Sequence, residues 1–347
     1  MPWLRALHLN WALAYTGGNS SKLSKMKTKE LVPLVLGLLA EKATVTDVKL
    51  KYALSEEQWS RVSKKAYEHH VAAARKKRLE DQAKRHVACT DLSTIDHMFE
   101  AMDFLASKAL CLPTDITPHN YDVVNEFRKR QYFNEKALVR FVEKLVMNPK
   151  IRAHQKLGRF NHYPAFKPFS TYIEASLVSY YRRNYHCCFL TLAPVIEGIM
   201  LRWSGYVGVG PKPQFEDLRK FFRNGYKRNP RPGNPLFYRL FSYAADEILC
   251  KHFYLNSQQG VAHEGFNRHI ASHMISDDDF STKENCIRLF VLLDTMTELY
   301  YYETYCHDYR FYLTHEEVVG DYNLYNELIK EGSRPNTIEN SLLGNVC

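Results

Sequence analysis

Asn267-Arg268-His269-Ile270-Ala271-Ser272-His273 is a short polar run set between two strongly patterned apolar segments, 236–255 and 287–300. On a helix, Arg268 and His273 are five residues apart and His269 and His273 four apart, so all three project toward one sector of the surface. A fixed cation beside two imidazoles suits the binding and cleavage of a phosphodiester. The guanidinium fork neutralises phosphate, and imidazole moves a proton near neutral pH. A surface helix turn with a few solvated polar residues has the same spacing, so the flanking chain has to decide.

On the C-terminal side, an acidic knot (Asp277-Asp278-Asp279) precedes a capping box, Ser281-Thr-Lys-Glu284. The box opens a helix carrying Ile287, Phe290, Leu293 and Tyr300 at core spacing. On the N-terminal side, Leu240, Ala244, Ile248 and Leu249 give a helix over 236–255, preceded by a Pro/Arg/Asn-rich loop at 227–235 and a short helix at 215–226. Residues 205–213 read as a Gly/Pro loop. Before it, 186–203 is a helix with Leu192, Ile196, Ile199, Met200 and Trp203 on one face, and Pro194 kinks it or lies near its first turns. Glu197 sits amid Val195, Ile196, Ile199 and Met200, so its carboxylate either reaches solvent or is held by a cation. A Tyr-rich helix over 172–183 comes first. Tyr180-Tyr181 and Tyr300-Tyr301-Tyr302 are expected to pack a bundle or dimer seam rather than to stack bases.

The first half also reads as helical. Leu31, Val32, Val35, Leu38 and Leu39 form a core stripe, 46–53 gives a short helix, and Ser55-Glu-Glu-Gln58 caps a long helix to about Cys89. The layout is like a helix-turn-helix but lacks the glycine-bearing turn, which favours a plain helical hairpin over a DNA reader. From Arg61 to Thr90 there are nine Lys or Arg against three Asp or Glu, centred on Arg75, Lys76, Lys77 and Arg78. Such a lopsided face is either simply solvated or turned toward phosphates. Helices follow at 95–110, broken by Pro113 and Pro118, and at 134–146, with Leu138, Phe141, Val142 and Leu145 inward. Residues 150–169, with Gly158, Pro164 and Pro168, read as a linker. The domains expected are therefore 1–165 (with 1–25 a loose extension), 166–312, and a loose tail over 313–347.

A composition of 45% hydrophobic and 24% charged residues places the chain among globular proteins, and no apolar run is long enough for a membrane span. Eight scattered cysteines without a C-x-x-C fit a reducing, cytoplasmic setting, and the adjacent Cys187-Cys188 reads as core filling. The net charge of +9 favours anionic partners, nucleic acid first. Internal repeats, sustained period-2 alternation, a Gly-rich phosphate loop, G-x-S-x-G and zinc-finger spacing are all missing from the sequence.

In order, these pieces resemble a HEPN domain. The run Leu-Ala-Pro-Val-Ile-Glu197-Gly198-Ile-Met-Leu-Arg202 is similar to that superfamily's first core helix, where a carboxylate lies mid-way along an apolar face. Residues 267–273 resemble its R-polar-x3-H signature, with His269 in the polar position. The helix from Ser281 through Leu292-Leu293-Asp294 resembles the closing core helix. The resemblance covers roughly 170–305. One departure is that His273 precedes Met274, where relatives of this type often carry a glycine that eases a tight turn.

The resemblance implies an all-α fold: a HEPN-like antiparallel bundle preceded by a second helical domain, and dimerising so that two motifs face each other. It implies a metal-independent endoribonuclease without cofactor, probed best at Arg268 on the scissile phosphate and His273 on the proton of the 2′-hydroxyl or leaving oxygen. His269 and Asn267 would shape the pocket, and Glu197 would orient Arg268. Lys227, Arg228 and Arg231 are candidates for guiding RNA. A toxin or antiphage-defence role, with an antitoxin or trigger protein as partner, is a habit of the family. Two rivals stand beside it. One is a non-catalytic HEPN-like module binding RNA, nucleotide or a partner protein. The other is a zinc site at His269 and His273, with His263 or His307 as third ligand, although no Glu occupies the H-E-x-x-H position.

Overall fold

Every regular element among the described residues of the computed structural model is helical. Those residues are 31–33, 35–37, 44–52, 54–89, 91–130, 133–223, 234–255, 263–269 and 280–343. The expected extension over 1–25 lies outside them. None of the described helices is long and apolar enough to cross a membrane. The chain divides into two units, Met1–Leu79 and Glu80–Cys347.

In the smaller unit, α1 (Val45–Tyr52) buries Val48 and Tyr52 with Leu31, Val32, Val35, Val62 and Ala66 in a small core edged by Trp59. The next helix, α2 (Glu56–Cys89), opens at the capping box its sequence announces. Ser55 Oγ accepts from Gln58 N at 3.2 Å, and Gln58 Oε1 accepts from Ser55 N at 3.0 Å. Two orphan amides at the helix start are satisfied in this way.

The larger unit contains α3 (Leu92–Ala106), α4 (Pro118–Lys129), α5 (Glu135–Val146), α6 (Pro149–Gln155), α7 (Ser170–Tyr181) and α8 (Tyr185–Trp203). After them come α9 (Phe215–Arg223), α10 (Pro235–Ile248), α11 (Lys283–Thr304), α12 (His315–Gly332) and α13 (Ile338–Leu343). A π-helical turn, Leu249–Phe253, extends α10. At the centre stands α11, buried at every position from Asn285 to Tyr300. It packs against α5, α8 and α10, and a helix enclosed all round needs no polar stripe. Its N-cap is Thr282, which accepts from Asn285 N at 3.1 Å, one residue beyond the cap expected at Ser281. Ser281 is buried and hydrogen-bonds His186. Tyr180, Tyr181, Tyr300 and Tyr302 are core residues, as expected of a packing seam. Pro194 lies inside α8 on its exposed side, where the missing amide hydrogen bond costs least.

Two expectations need correction. Residues 150–169 are not a linker: they form α6 and a π-helical turn (Lys156–Phe160) and bury Arg152, Arg159, Phe160, Tyr163 and Phe166. One apolar core runs from Met98 to Tyr325, so the division at Leu79 replaces the boundary expected near residue 165. Nor is 313–347 a loose tail over its described part. A capping box at Thr314 and Glu317 opens α12, which packs on α6 and α7. Tyr325 is fully buried there and donates to Glu174 at 2.9 Å, while Lys156 Nζ reaches Glu174 at 3.0 Å and Asp321 at 2.8 Å.

What misled the sequence reading is a set of buried ion pairs. Arg152 pairs with Asp294 of α11. Arg159 pairs with Glu298 of α11 and with Asp308, whose Oδ2 accepts from its Nη2 at 2.7 Å and its Nε at 2.9 Å. Thr114 Oγ1 donates to Glu298 at 2.8 Å, and Arg310 bridges Asp308 and Asp115. Burial opposes charge on Arg159, Arg310, Asp308 and Asp294. Even so, the two arginines hold the Asp308 carboxyl below the usual carboxylate range, and the carboxylates hold Arg159 protonated. Asp294 pairs with Arg152, and there burial, helped by the nearby Glu298, wins over the arginine and pushes the carboxyl up.

Removing one partner of a buried pair strands the other's charge. Arg159→Leu should cost about 3–5 kcal/mol in urea unfolding. Exposed Arg61→Ala on α2 should change stability by less than about 0.5 kcal/mol.

Candidate functional site

Phe266 anchors the segment that carries the polar run. It is fully buried against Phe253 (centroids 5.3 Å apart) and Phe189 of α8 (6.3 Å). Next comes Asn267, which is 4% exposed. Its Nδ2 donates to Leu255 O at 2.7 Å and to His252 O at 3.4 Å, and its Oδ1 accepts from His269 N at 2.7 Å. The side chain thus ties the turn to the end of the π-helical segment and caps the helical residues Arg268 and His269. Asn267 was expected to shape the pocket; its place is beneath the site, as a support.

Arg268 leaves that turn toward α8 and forms an ion pair with Glu197. Its guanidinium also lies 5.3 Å over the ring of Tyr254, which stacks on Phe215 with centroids 4.0 Å apart. A carboxylate on one side and an aromatic face on the other fix a planar cation in one pose. The other oxygen of Glu197 accepts from Lys212 Nζ at 2.8 Å. Lys212 follows a loop in which Gly208 and Gly210 hold φ of 92° and 88°, which L-residues rarely adopt. Side-chain exposure rises from 12% at Glu197 to 28% at Arg268 and 53% at Lys212. Two cations therefore sit above one sunken acid, leaving a local excess of positive charge open to an anion. Behind them, Tyr254 is buried and its hydroxyl has no hydrogen-bond partner among the described residues. Burial, reinforced by Glu197, pushes its ionisation up.

Both flanks of the undescribed segment 270–279 are tied to α11. Asn285 Nδ2 donates to Glu264 O at 2.8 Å and to Phe280 O at 2.9 Å, and its Oδ1 accepts from Arg288 at 2.7 Å. Arg288 Nη2 reaches Glu135 at 2.6 Å, and His263 meets the same carboxylate at 2.5 Å. Burial would raise Glu135, but these two neighbours hold it low.

Of the residues singled out in the sequence, Glu197 and Arg268 are brought together. His269 is on the same turn, half-buried. His273, Lys227, Arg228 and Arg231 lie outside the described residues. Arg75, Lys76, Lys77 and Arg78 belong to α2 in the smaller unit, with Lys77 and Arg78 exposed. The suggested third zinc ligands are engaged elsewhere: His263 by Glu135, and His307 by ring contacts with Tyr309 and Tyr312. Among the described residues no three His, Cys, Asp or Glu side chains are grouped to hold a metal ion. Lys212, Tyr254 and Phe215 escaped the sequence reading. Lys212 is an isolated lysine between two prolines and Tyr254 one aromatic among many, so neither carries a signal at fixed spacing from Glu197 or Arg268.

No family model, curated protein or solved structure matches the chain. It is a predominantly α-helical protein, defined by its own geometry: an acid-clamped arginine on a short turn, held against a central buried helix.

Two stability measurements check this arrangement. Asn267→Ala should cost about 1–2 kcal/mol through the lost cap, whereas Tyr254→Phe, which removes an unpartnered hydroxyl, should stay within about 0.5 kcal/mol of the parent. The support also carries a pH dependence through His252, whose carbonyl Asn267 contacts. Burial first, then the nearby His263, Arg288 and Lys251, push its imidazole down from 6.5 to about 4 despite a contact with Ala106 O. The unfolded chain takes up that proton near pH 6.5 and the folded chain refuses it until about pH 4. Stability from this group is complete above pH 6.5 and lost between pH 6.5 and 4, a loss that His252→Gln should diminish in urea titrations at pH 7 and 5.

Proposed function

We propose that the chain is a metal-independent endoribonuclease of the HEPN type, acting as a cytoplasmic homodimer in toxin or antiphage defence. The observation that carries this reading is the ion pair between Arg268 and Glu197, formed between residues 71 positions apart in the sequence with the arginine still partly open to solvent. Such an arginine is oriented before substrate arrives, so little reorganisation is needed when phosphate charge develops. Arg268 grips the scissile phosphate, and Lys212, held on the other oxygen of Glu197, adds a second cation. His273 is assigned the proton of the RNA 2′-hydroxyl or of the leaving oxygen. An internal 2′-hydroxyl is already placed as nucleophile, so proximity stands in for an activated water. The 2′-oxygen bonds to phosphorus as the bond to the 5′-oxygen breaks, giving a 2′,3′-cyclic phosphate and a 5′-hydroxyl.

One feature favours a second reading. The guanidinium is engaged by both Glu197 and Tyr254, as in a clamp that stabilises a turn. On that reading the larger unit is a non-catalytic HEPN-like module binding RNA or a protein.

RNA incubated in EDTA with the parent protein should yield cyclic-phosphate ends. His273→Ala should lower the rate about 10²–10⁴-fold and Arg268→Ala by a comparable factor. Cleavage unchanged in both variants would remove these residues from the mechanism, and binding without cleavage by the parent would favour the second reading.

A further inference from the structure

The smaller unit plays no part in the reaction proposed above, and its α1 and α2 are pinned where they meet. At the start of α1, Thr44 Oγ1 accepts from Asp47 N at 3.1 Å and Asp47 Oδ2 accepts from Thr44 N at 2.9 Å, a capping box. At its end, Leu54 N donates to Lys49 O at 3.0 Å, the six-to-one bond of a Schellman closure. Such a closure is what the usual glycine supplies in the turn of a helix-turn-helix. Here it forms without one, so the missing glycine no longer counts against that motif. The turn is three residues, 53–55, and the box at Ser55 opens α2 directly after it.

Packing holds the two helices together. Val48 and Tyr52, four apart on α1, and Trp59, Val62 and Ala66, on one face of α2, close on Leu31, Val32 and Val35. Lys49 ties the joint: its Nζ meets Glu56 Oε1 at 2.7 Å and lies 5.7 Å over the Trp59 ring. With its inner face committed to that core, α2 turns Arg61, Lys64 and Lys65 outward, and all three are exposed. The acids at the start of α2 are offset, Glu56 by Lys49 and Glu57 by Arg61. Over 44–79 nine Lys or Arg stand against four Asp or Glu, and exposed Lys77 and Arg78 carry the excess further along α2.

We propose that the smaller unit is a helix-turn-helix reader of double-stranded DNA, with the first turns of α2 in the major groove. A groove about 12 Å wide admits one helix. The second helix of such a motif presents its N-terminal residues to base edges. Arg61 suits guanine O6 and N7 through its planar fork, because its exposed pair with Glu57 is weak enough to exchange. Lys64 and Lys65, with exposed Lys51 at the end of α1, suit the flanking phosphates. Duplex RNA is the poorer fit, since its major groove is too deep and narrow for side chains to read. The chemistry proposed at Arg268 takes no part in this contact, so either reading can fail alone.

The test uses the full chain and a random-sequence pool of DNA duplexes about 30 base pairs long. Beside it stands the same pool as 2′-O-methyl RNA duplexes, which offer no nucleophilic hydroxyl. Fluorescence anisotropy should show the DNA bound with a Kd of about 1–100 µM. Lys64→Glu/Lys65→Glu should weaken DNA binding about tenfold or more and leave RNA-duplex binding within about twofold. Lys129→Glu, an exposed change on α4, should leave both unchanged. Repeated selection of bound DNA should converge on one site, and Arg61→Ala should relax its preference at a guanine. No DNA binding at about 0.1 mM protein, DNA binding untouched by the double variant, or an equal loss of RNA-duplex binding in it would overturn the proposal. So would a selected pool without a recurring site, or a site that Arg61→Ala reads identically.

Discussion

The larger unit depends on the neutralisation of carboxylates that α11 carries into the core. Asp294 and Glu298 are 5% and 3% exposed, and ions so far from water are tolerable only when paired and hydrogen-bonded. Arg152 and Arg159 supply the charge from a segment about 140 positions earlier, so 149–160 and α11 must come together before either is a stable part of the fold. The two pairs are not equivalent. Arg159 has two carboxylates, one of them also bonded by Thr114, and the face of Tyr301 around it, while Arg152 leaves Nε and Nη1 without a hydrogen-bond partner among the described residues. Asp294 reflects this, its carboxyl pushed toward the neutral form while Asp308 is held charged.

The candidate site is built on the same helix from its other end. Asn285, one turn into α11, ties Glu264 and Phe280 together, and Asn267 ties the following turn to the end of the π-helical segment. Arg268 is thus presented to Glu197 from a short turn held at several points. The carboxylate has to satisfy two cations at once, Arg268 and Lys212, and only Arg268 is also stacked. Loss of Lys212 leaves the arginine clamped, but loss of Glu197 releases both.

Helices with a clear face were legible in the sequence. The Ser55–Gln58 box, the stripe of α5 and the apolar length of α11 all follow from periodicity and capping chemistry. Glu197 was legible as a carboxylate that either reaches solvent or is held by a cation, because its neighbours along α8 are apolar, and the second alternative is the one realised. What could not be read was any pairing at long range. Arg152, Lys156 and Arg159 looked like the polar residues of a linker because solvent and a buried acid leave the same trace in a sequence. The acids that claim them lie on α7, on α11 and beyond it. The described part of 313–347 failed for a related reason: α12 buries only Val318, Tyr325 and Gly332 among its described residues, so its amphipathic signal is faint.

A chain cut to residues 166–312 would keep the whole polar run and its partner Glu197, yet would strip α11 of both arginines. Asp294 would then face an apolar interior without its arginine, Glu298 would keep only Arg310 at 3.9 Å among the described residues, and Tyr181 would lose the α12 backbone at Gly332, where even an added methyl would meet Tyr181 O at 2.5 Å. The smallest portion able to present the Arg268–Glu197 pair as a self-standing body is accordingly much larger than the motif-bearing stretch, reaching back to α3 and forward through α12.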